Sequence, residues 1–85
     1  MRITLMELDD TIRSYLKDMI KTEVMRVHKT LPLDTQEDMI LSVLTDDFMQ
    51  LLCMEVIKYY ACFAERETEC ELTQEDCVNI YFNRA

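Results

Sequence analysis

Residues 35–64 read TQEDMILSVLTDDFMQLLCMEVIKYYACFA, and the tetrapeptide that opens them, Thr35-Gln36-Glu37-Asp38, returns at Thr73-Gln74-Glu75-Asp76. Each copy is a helix-start signal. A threonine oxygen accepts from the amide three residues on, and the carboxylates that follow sit where the unpaired amides of a helix N-terminus carry partial positive charge. Thr35 and Thr73 are the expected caps, with Asp76 at the matching acidic position of the second copy. The span between them can hold one long helix, from Asp34 or Thr35 to about Glu67, with a shorter helix on either side. Its early part is punctuated by Ser42, Thr45, Asp46 and Asp47. A break near residue 45 would give a small four-helix bundle in place of three helices, with Thr45 capping the later one. The rest of the two halves has no similarity, so the repeat is convergent capping and not a duplicated unit.

Toward the N-terminus, Thr4 with Glu7 forms a Thr-x-x-Glu capping box, and Asp9-Asp10-Thr11 offers a second start a little later. Either start places Leu5, Leu8, Ile12, Tyr15, Leu16, Met19, Ile20, Val24 and Val27 on one face, with Arg13, Lys17, Asp18 and Lys21 largely opposite. Pro32 disfavours helical geometry at Leu31, so this first helix ends between His28 and Asp34. At the other end, Glu65-Arg66-Glu67-Thr68-Glu69-Cys70-Glu71 closes the apolar pattern as a solvated loop. A short last helix then carries Val78, Tyr81 and Phe82.

The chain has 85 residues, one proline and no glycine, which excludes glycine turns and phosphate-cradling loops and predicts a single all-helical domain over 1–85. Its net charge is −8, and twelve of the seventeen carboxylates fall between residues 34 and 76. Such a field repels phosphate and anionic lipid, and favours a basic protein partner. Four cysteines (Cys53, Cys62, Cys70, Cys77) and seven methionines without a secretory signal predict free thiols in an intracellular setting. The most apolar window, Leu51 to Ala64, is shorter than a membrane span and carries Glu55 and Lys58, which pair at a three-residue step.

The chemistry-bearing residues form no constellation. The cysteines lack a Cys-x-x-Cys pair and their spacings suit no common zinc module, so the expectation is no metal and no cofactor, with Cys53 and Cys62 packed as core residues. His28, the single histidine, has no nucleophile context, and Asp9-Asp10 and Asp46-Asp47 read as caps. Neither an enzyme nor a small-molecule substrate is expected.

Twelve of the fourteen residues from Leu51 to Ala64 are apolar, a helix greasy nearly all round. A chain this small buries only about 60–65 % of its unfolded surface. Two short flanking helices are therefore expected to leave Leu51, Leu52, Val56, Tyr59, Tyr60 and Phe63 to be covered by a partner, with Met39, Met49 and Met54 as adaptable packing.

Leu52, Val56, Tyr60 and Ala64, a polar loop, then Leu72, Thr73 and Asp76 resemble the apolar spacing, loop length and closing aspartate of histone-fold subunits. The likeness covers about 34–82 and is nearest to small acidic chains of the centromere protein X and TBP-associated-factor types. It implies a three-helix histone fold whose central helix is unbroken through Thr45, and a handshake with an unlike histone-fold chain. It also implies nuclear service in a chromatin, centromere or transcription complex, with nucleic acid contacted through the partner. Histone-fold chains place arginine or lysine just before the position of Leu72; here stand Glu69, Cys70 and Glu71, which leaves Arg66 as the residue able to make the phosphate contact or to pair with Asp76. The rival reading is a small helical adaptor or homodimer, viral proteins included, that grips a partner helix with the same apolar face.

Overall fold

A computed structural model describes residues 2–61 and 68–84. Among them the order is β1 (Arg2–Ile3), a 3₁₀ turn (Leu5–Glu7), α1 (Asp10–His28), a second 3₁₀ turn (Pro32–Asp34), α2 (Glu37–Val43), α3 (Asp46–Ala61), β2 (Glu69–Cys70) and α4 (Gln74–Phe82). The protein is predominantly helical, as its sequence predicts.

Both start signals near the N-terminus are used. Thr4 and Glu7 close a reciprocal box around the first 3₁₀ turn, and Thr4 N–H donates to Glu7 Oε2 over 2.7 Å. Asp9 caps α1 by accepting from the Ile12 amide at 3.1 Å. Ile12, Leu16, Ile20 and Val24, one every four residues, are the buried stripe of α1. Tyr15 and Val27 share the predicted apolar face but stay exposed. The helix stops at Lys29, which takes the left-handed conformation (φ 56°) that glycine would adopt without strain.

The single long helix expected from Thr35 is two helices. Leu44 leaves helical geometry at ψ 60°, and Thr45 restarts the chain by accepting from the Phe48 amide at 3.2 Å. The residues Thr45-Asp46-Asp47 make a better start than a middle, because a short polar side chain competes for backbone amides and the carboxylates face the amide end of a helix. The four α-helices among the described residues match the bundle alternative.

Thr35 is not a cap. It closes the turn begun by Pro32, with its amide donating to Pro32 O at 3.3 Å and its hydroxyl directed to Leu31 O at 3.5 Å. Gln36 takes the cap position without a side-chain bond, so the proline turn has moved the helix start one residue beyond the threonine. No such turn precedes Thr73. Its oxygen accepts from the Asp76 amide at 3.0 Å, while Asp76 Oδ2 accepts from the Thr73 amide at 2.9 Å.

β1 and β2 run parallel, Arg2 opposite Glu69 and Ile3 opposite Cys70, and the Glu71 amide extends the ladder to Ile3 O at 2.7 Å. Two-residue strands leave no periodic signature, which is why the sequence reads this stretch as loop. The ladder seats Ile3 fully in the core.

The helices enclose one core. Ile3 and Leu8 join the α1 stripe, Ile40, Val43 and Leu44 come from α2 and its end, and Phe48, Leu52 and Val56 from α3. Cys77, Val78, Ile80 and Tyr81 come from α4. No polar or charged side chain is buried among the described residues. Leu52 and Val56 are 0 % exposed, so their expected place in a partner interface is corrected: this chain covers them itself. Splitting the long helix made that possible, because α2 turns back over α1 and α4 and closes one side of the core that an unbroken helix would have left open.

Candidate functional site

The interface expected along α3 divides by face. Residues 48, 52 and 56, at four-residue steps, point into the core, while Leu51 lies one residue off that row and stays half exposed. Tyr59 and Tyr60 are partly covered, and Phe63 and Arg66 lie outside the described residues.

The two tyrosines fasten the N-terminal segment to the end of α3. Tyr59 hydroxyl donates to Asp9 Oδ2 at 2.7 Å; Tyr60 oxygen accepts from the Asp9 amide at 3.1 Å while its hydroxyl donates to Glu7 O at 2.8 Å. Their rings meet edge to face with centroids 4.9 Å apart. The Tyr59 hydroxyl and the Ile12 amide hold the Asp9 carboxyl below its ordinary value, and the same bond raises the Tyr59 phenol. Arg13 completes the clasp, reaching back to Leu8 O at 3.0 Å and Leu5 O at 2.8 Å. Pairing over about fifty residues leaves no local pattern, so the sequence alone does not reveal this network.

The clasp sets α1 and α3 side by side and antiparallel, with an apolar groove between them. At the clasp end, Thr11, Ile12 and Tyr15 face Glu55, Lys58 and Tyr59 around a hollow of about 310 Å³. Toward the other end, Tyr15, Met19, Thr22 and Arg26 face Phe48 and Leu51 around a second hollow of about 480 Å³. Tyr15 lines both, so the two join into one trough. Its floor is apolar: Tyr15 and Leu51 line it and are each 50 % exposed. Its rim charges are neutralised in pairs, Asp18 with Lys21 at 3.5 Å, Glu23 with Arg26 at 2.6 Å and Glu55 with Lys58 at 3.6 Å. The last of these is the pair expected from spacing. Of the residues expected at an interface, Leu51 and Tyr59 belong to this trough; Tyr15, expected only on the apolar face of α1, and Phe48, which sequence reasoning did not single out, line it as well.

His28 ends α1 and its Nε2 lies 2.6 Å from Ser42 Oγ. The serine proton is committed to Met39 O at 2.7 Å, so the imidazole nitrogen is the donor. The thiols of Cys53, Cys70 and Cys77 are free. No described helix is long and apolar enough to cross a membrane. No family model matches the chain, and neither a curated protein nor a solved structure matches it at a significant level.

Proposed function

We propose that the chain is a non-enzymatic interaction module that receives an amphipathic, lysine- or arginine-flanked helix of a partner protein in the trough between α1 and α3. The observation that carries this reading is the trough itself. Two antiparallel helices expose the apolar side chains of Tyr15 and Leu51 along the seam between them. A third helix laid there would bury its apolar face by the geometry used in helix-in-groove recognition. Charge supports a basic occupant: the rim is self-neutralised, and the chain as a whole carries a net charge of −8.

This is the adaptor reading of the sequence. The histone-fold reading, with an unlike histone-fold partner and a nuclear complex, asks for an unbroken central helix. The start of α3 at Thr45 and the burial of Leu52 and Val56 inside this chain both support the adaptor over it.

The test uses two synthetic helical peptides of identical apolar face, one with lysine and one with glutamate on the polar face, titrated into the isotopically labelled chain. Binding of the lysine peptide, with amide shifts centred on Tyr15, Leu51 and Tyr59, is the expected result. Leu51→Asp, at an exposed position, is expected to weaken binding by about tenfold or more while the helical content is unchanged. Shifts centred elsewhere, or no preference between the peptides, would remove the trough as the site.

A further inference from the structure

The seam between α1 and α4 is basic in an acidic chain. Arg13, Lys17 and Lys21 follow one another at four-residue steps along α1, and Arg84 stands just past the end of α4. These are four of the nine lysines and arginines of the sequence. Two hollows open along the seam, and Lys17 lines both. In the first, of about 480 Å³, Arg13, Lys17 and Arg84 stand with the side-chain amides of Asn79 and Asn83, and Asp10 is the carboxylate among them. In the second, of about 450 Å³, Pro32, Leu33, Tyr81 and Phe82 supply an apolar lining, and the charged residues beside them are Lys17 and Lys21.

The cations are positioned without being neutralised. Lys17 forms no ion pair among the described residues, and its ammonium lies 6.0 Å from the centre of the Tyr81 ring. Arg84 Cζ lies 4.7 Å from the centre of the Phe82 ring, and its guanidinium meets Glu37 at 3.7 Å. Lys21 meets Asp18 at 3.5 Å with its side chain still 39 % exposed. Exposed pairs of this length contribute little and give way readily to a better-placed partner. Arg13 is fixed by its bonds to Leu8 O and Leu5 O, which hold a positive charge on the same side of α1. Leu33, 99 % exposed, is a large apolar side chain at the edge of the second hollow that the described residues leave uncovered.

We propose that this seam docks an acidic segment of a partner protein, which seats one bulky apolar side chain against Leu33 and Phe82 and lays carboxylates beside Lys17 and Lys21. Charge selects the occupant. Carboxylates give the lysines charge-assisted hydrogen bonds, and an apolar side chain between them takes Leu33 out of water. A nucleic acid would meet the cations alone, and its row of phosphates would face a chain of net charge −8. A few carboxylates around one apolar anchor keep the local attraction with little of that long-range repulsion.

This surface is separate from the trough. Lys17 follows Tyr15 by two residues, about 200° around a helix, so seam and trough lie on opposite sides of α1 and call for occupants of opposite charge. Failure of one assignment therefore leaves the other standing.

The experiment titrates the isotopically labelled full-length chain with a short synthetic peptide that bears one phenylalanine among glutamates. Two relatives are titrated beside it, one with serine in place of the phenylalanine and one with glutamine in place of the glutamates. The expected result is binding of the first peptide alone, with amide shifts centred on Lys17, Leu33 and Phe82 and an affinity that falls as salt is raised. Leu33→Ser and Lys17→Gln are each expected to weaken binding by about fivefold or more, with the circular dichroism unchanged. Leu33 takes no part in the core, so its variant decides the outcome even if Lys17→Gln loses helix. Unchanged affinity in Leu33→Ser, equal binding of either control peptide, shifts centred on Tyr15 and Leu51, or no binding to the folded chain would each overturn the proposal. A single-stranded oligonucleotide is titrated in parallel, and tighter binding of it at the same residues would assign the seam to phosphate and overturn the acidic-segment reading.

Discussion

Lys29 ends α1 at φ 56°, a conformation that crowds its Cβ against the following carbonyl. Replacing it with glycine removes that crowding, and Lys29→Gly is expected to raise stability by about 0.5–1 kcal/mol, read from the urea midpoint at constant slope. Asn83 takes the same conformation (φ 55°) after α4, where the Arg84 amide reaches Asn79 O at 2.8 Å. Asparagine tolerates that region better than lysine, so glycine there gains less. The Asp9–Tyr59 bond makes a pH prediction. Asp9 is depressed below its ordinary 3.8 in the fold, so its stabilisation is in full force above that value and is lost as pH falls through the lower folded value. Tyr59 is raised above its ordinary 10.0, so its share is in full force below that value and is lost as pH rises through the higher folded one. Tyr59→Phe is expected to flatten the stability profile at both extremes, and denaturation across a pH series checks it. Tyr60→Asp would break two bonds of the same clasp, so loss of association in that variant would report on the fold and not on an interface.

The two copies of Thr-Gln-Glu-Asp are a controlled comparison between helices. Thr73→Ala removes a side-chain cap and is expected to destabilise by about 1 kcal/mol, as is Thr45→Ala at the start of α3. Thr35→Ala removes only a hydroxyl at 3.5 Å from Leu31 O, and is expected to stay within about 0.5 kcal/mol. Parallel thermal melts of the three variants test this ranking; equal losses at Thr35 and Thr73 would mean that α2 is capped by Thr35 after all. The identical tetrapeptides are read differently because Pro32 imposes a 3₁₀ turn that ends on Thr35, whereas Thr73 follows an extended segment. A local motif states what a residue can do; the preceding turn determines which amide it meets.

Across the whole molecule, the division of α3 into faces separates fold from function. Leu52→Ala opens a cavity in the centre of the core and is expected to destabilise by about 2–5 kcal/mol, whereas Leu51→Ala, one residue away, is expected to change stability by less than about 1 kcal/mol. Denaturant midpoints measured side by side give the answer, and equal losses would move Leu51 into the core. The self-contained core also predicts that the isolated chain is a folded monomer, which light scattering during size exclusion measures directly. Leu31 and Leu33 flank Pro32 on the surface, Leu33 99 % exposed, and belong neither to the core nor to the trough.

Helical class, the first helix with its buried stripe, the stop near Pro32 and the last capped helix were all legible in the residue order. Each depends on groups within four residues of one another: a cap and its amide, an apolar side chain and the next on its face, a proline and its predecessor. The six residues expected at an interface were only partly legible, because composition shows that α3 is apolar but not how much of it α1, α2 and α4 will cover. Leu52 and Val56 went inward, Leu51 stayed out, and Tyr59 and Tyr60 were drawn into a clasp with Asp9 and Glu7. The trough and the seam between α1 and α4 depend on chain segments far apart in sequence, and contacts of that kind arise only when the backbone packs around a shared core. Burial is a property of the surroundings, set by every element at once, and local periodicity records only the face that each element would choose to hide.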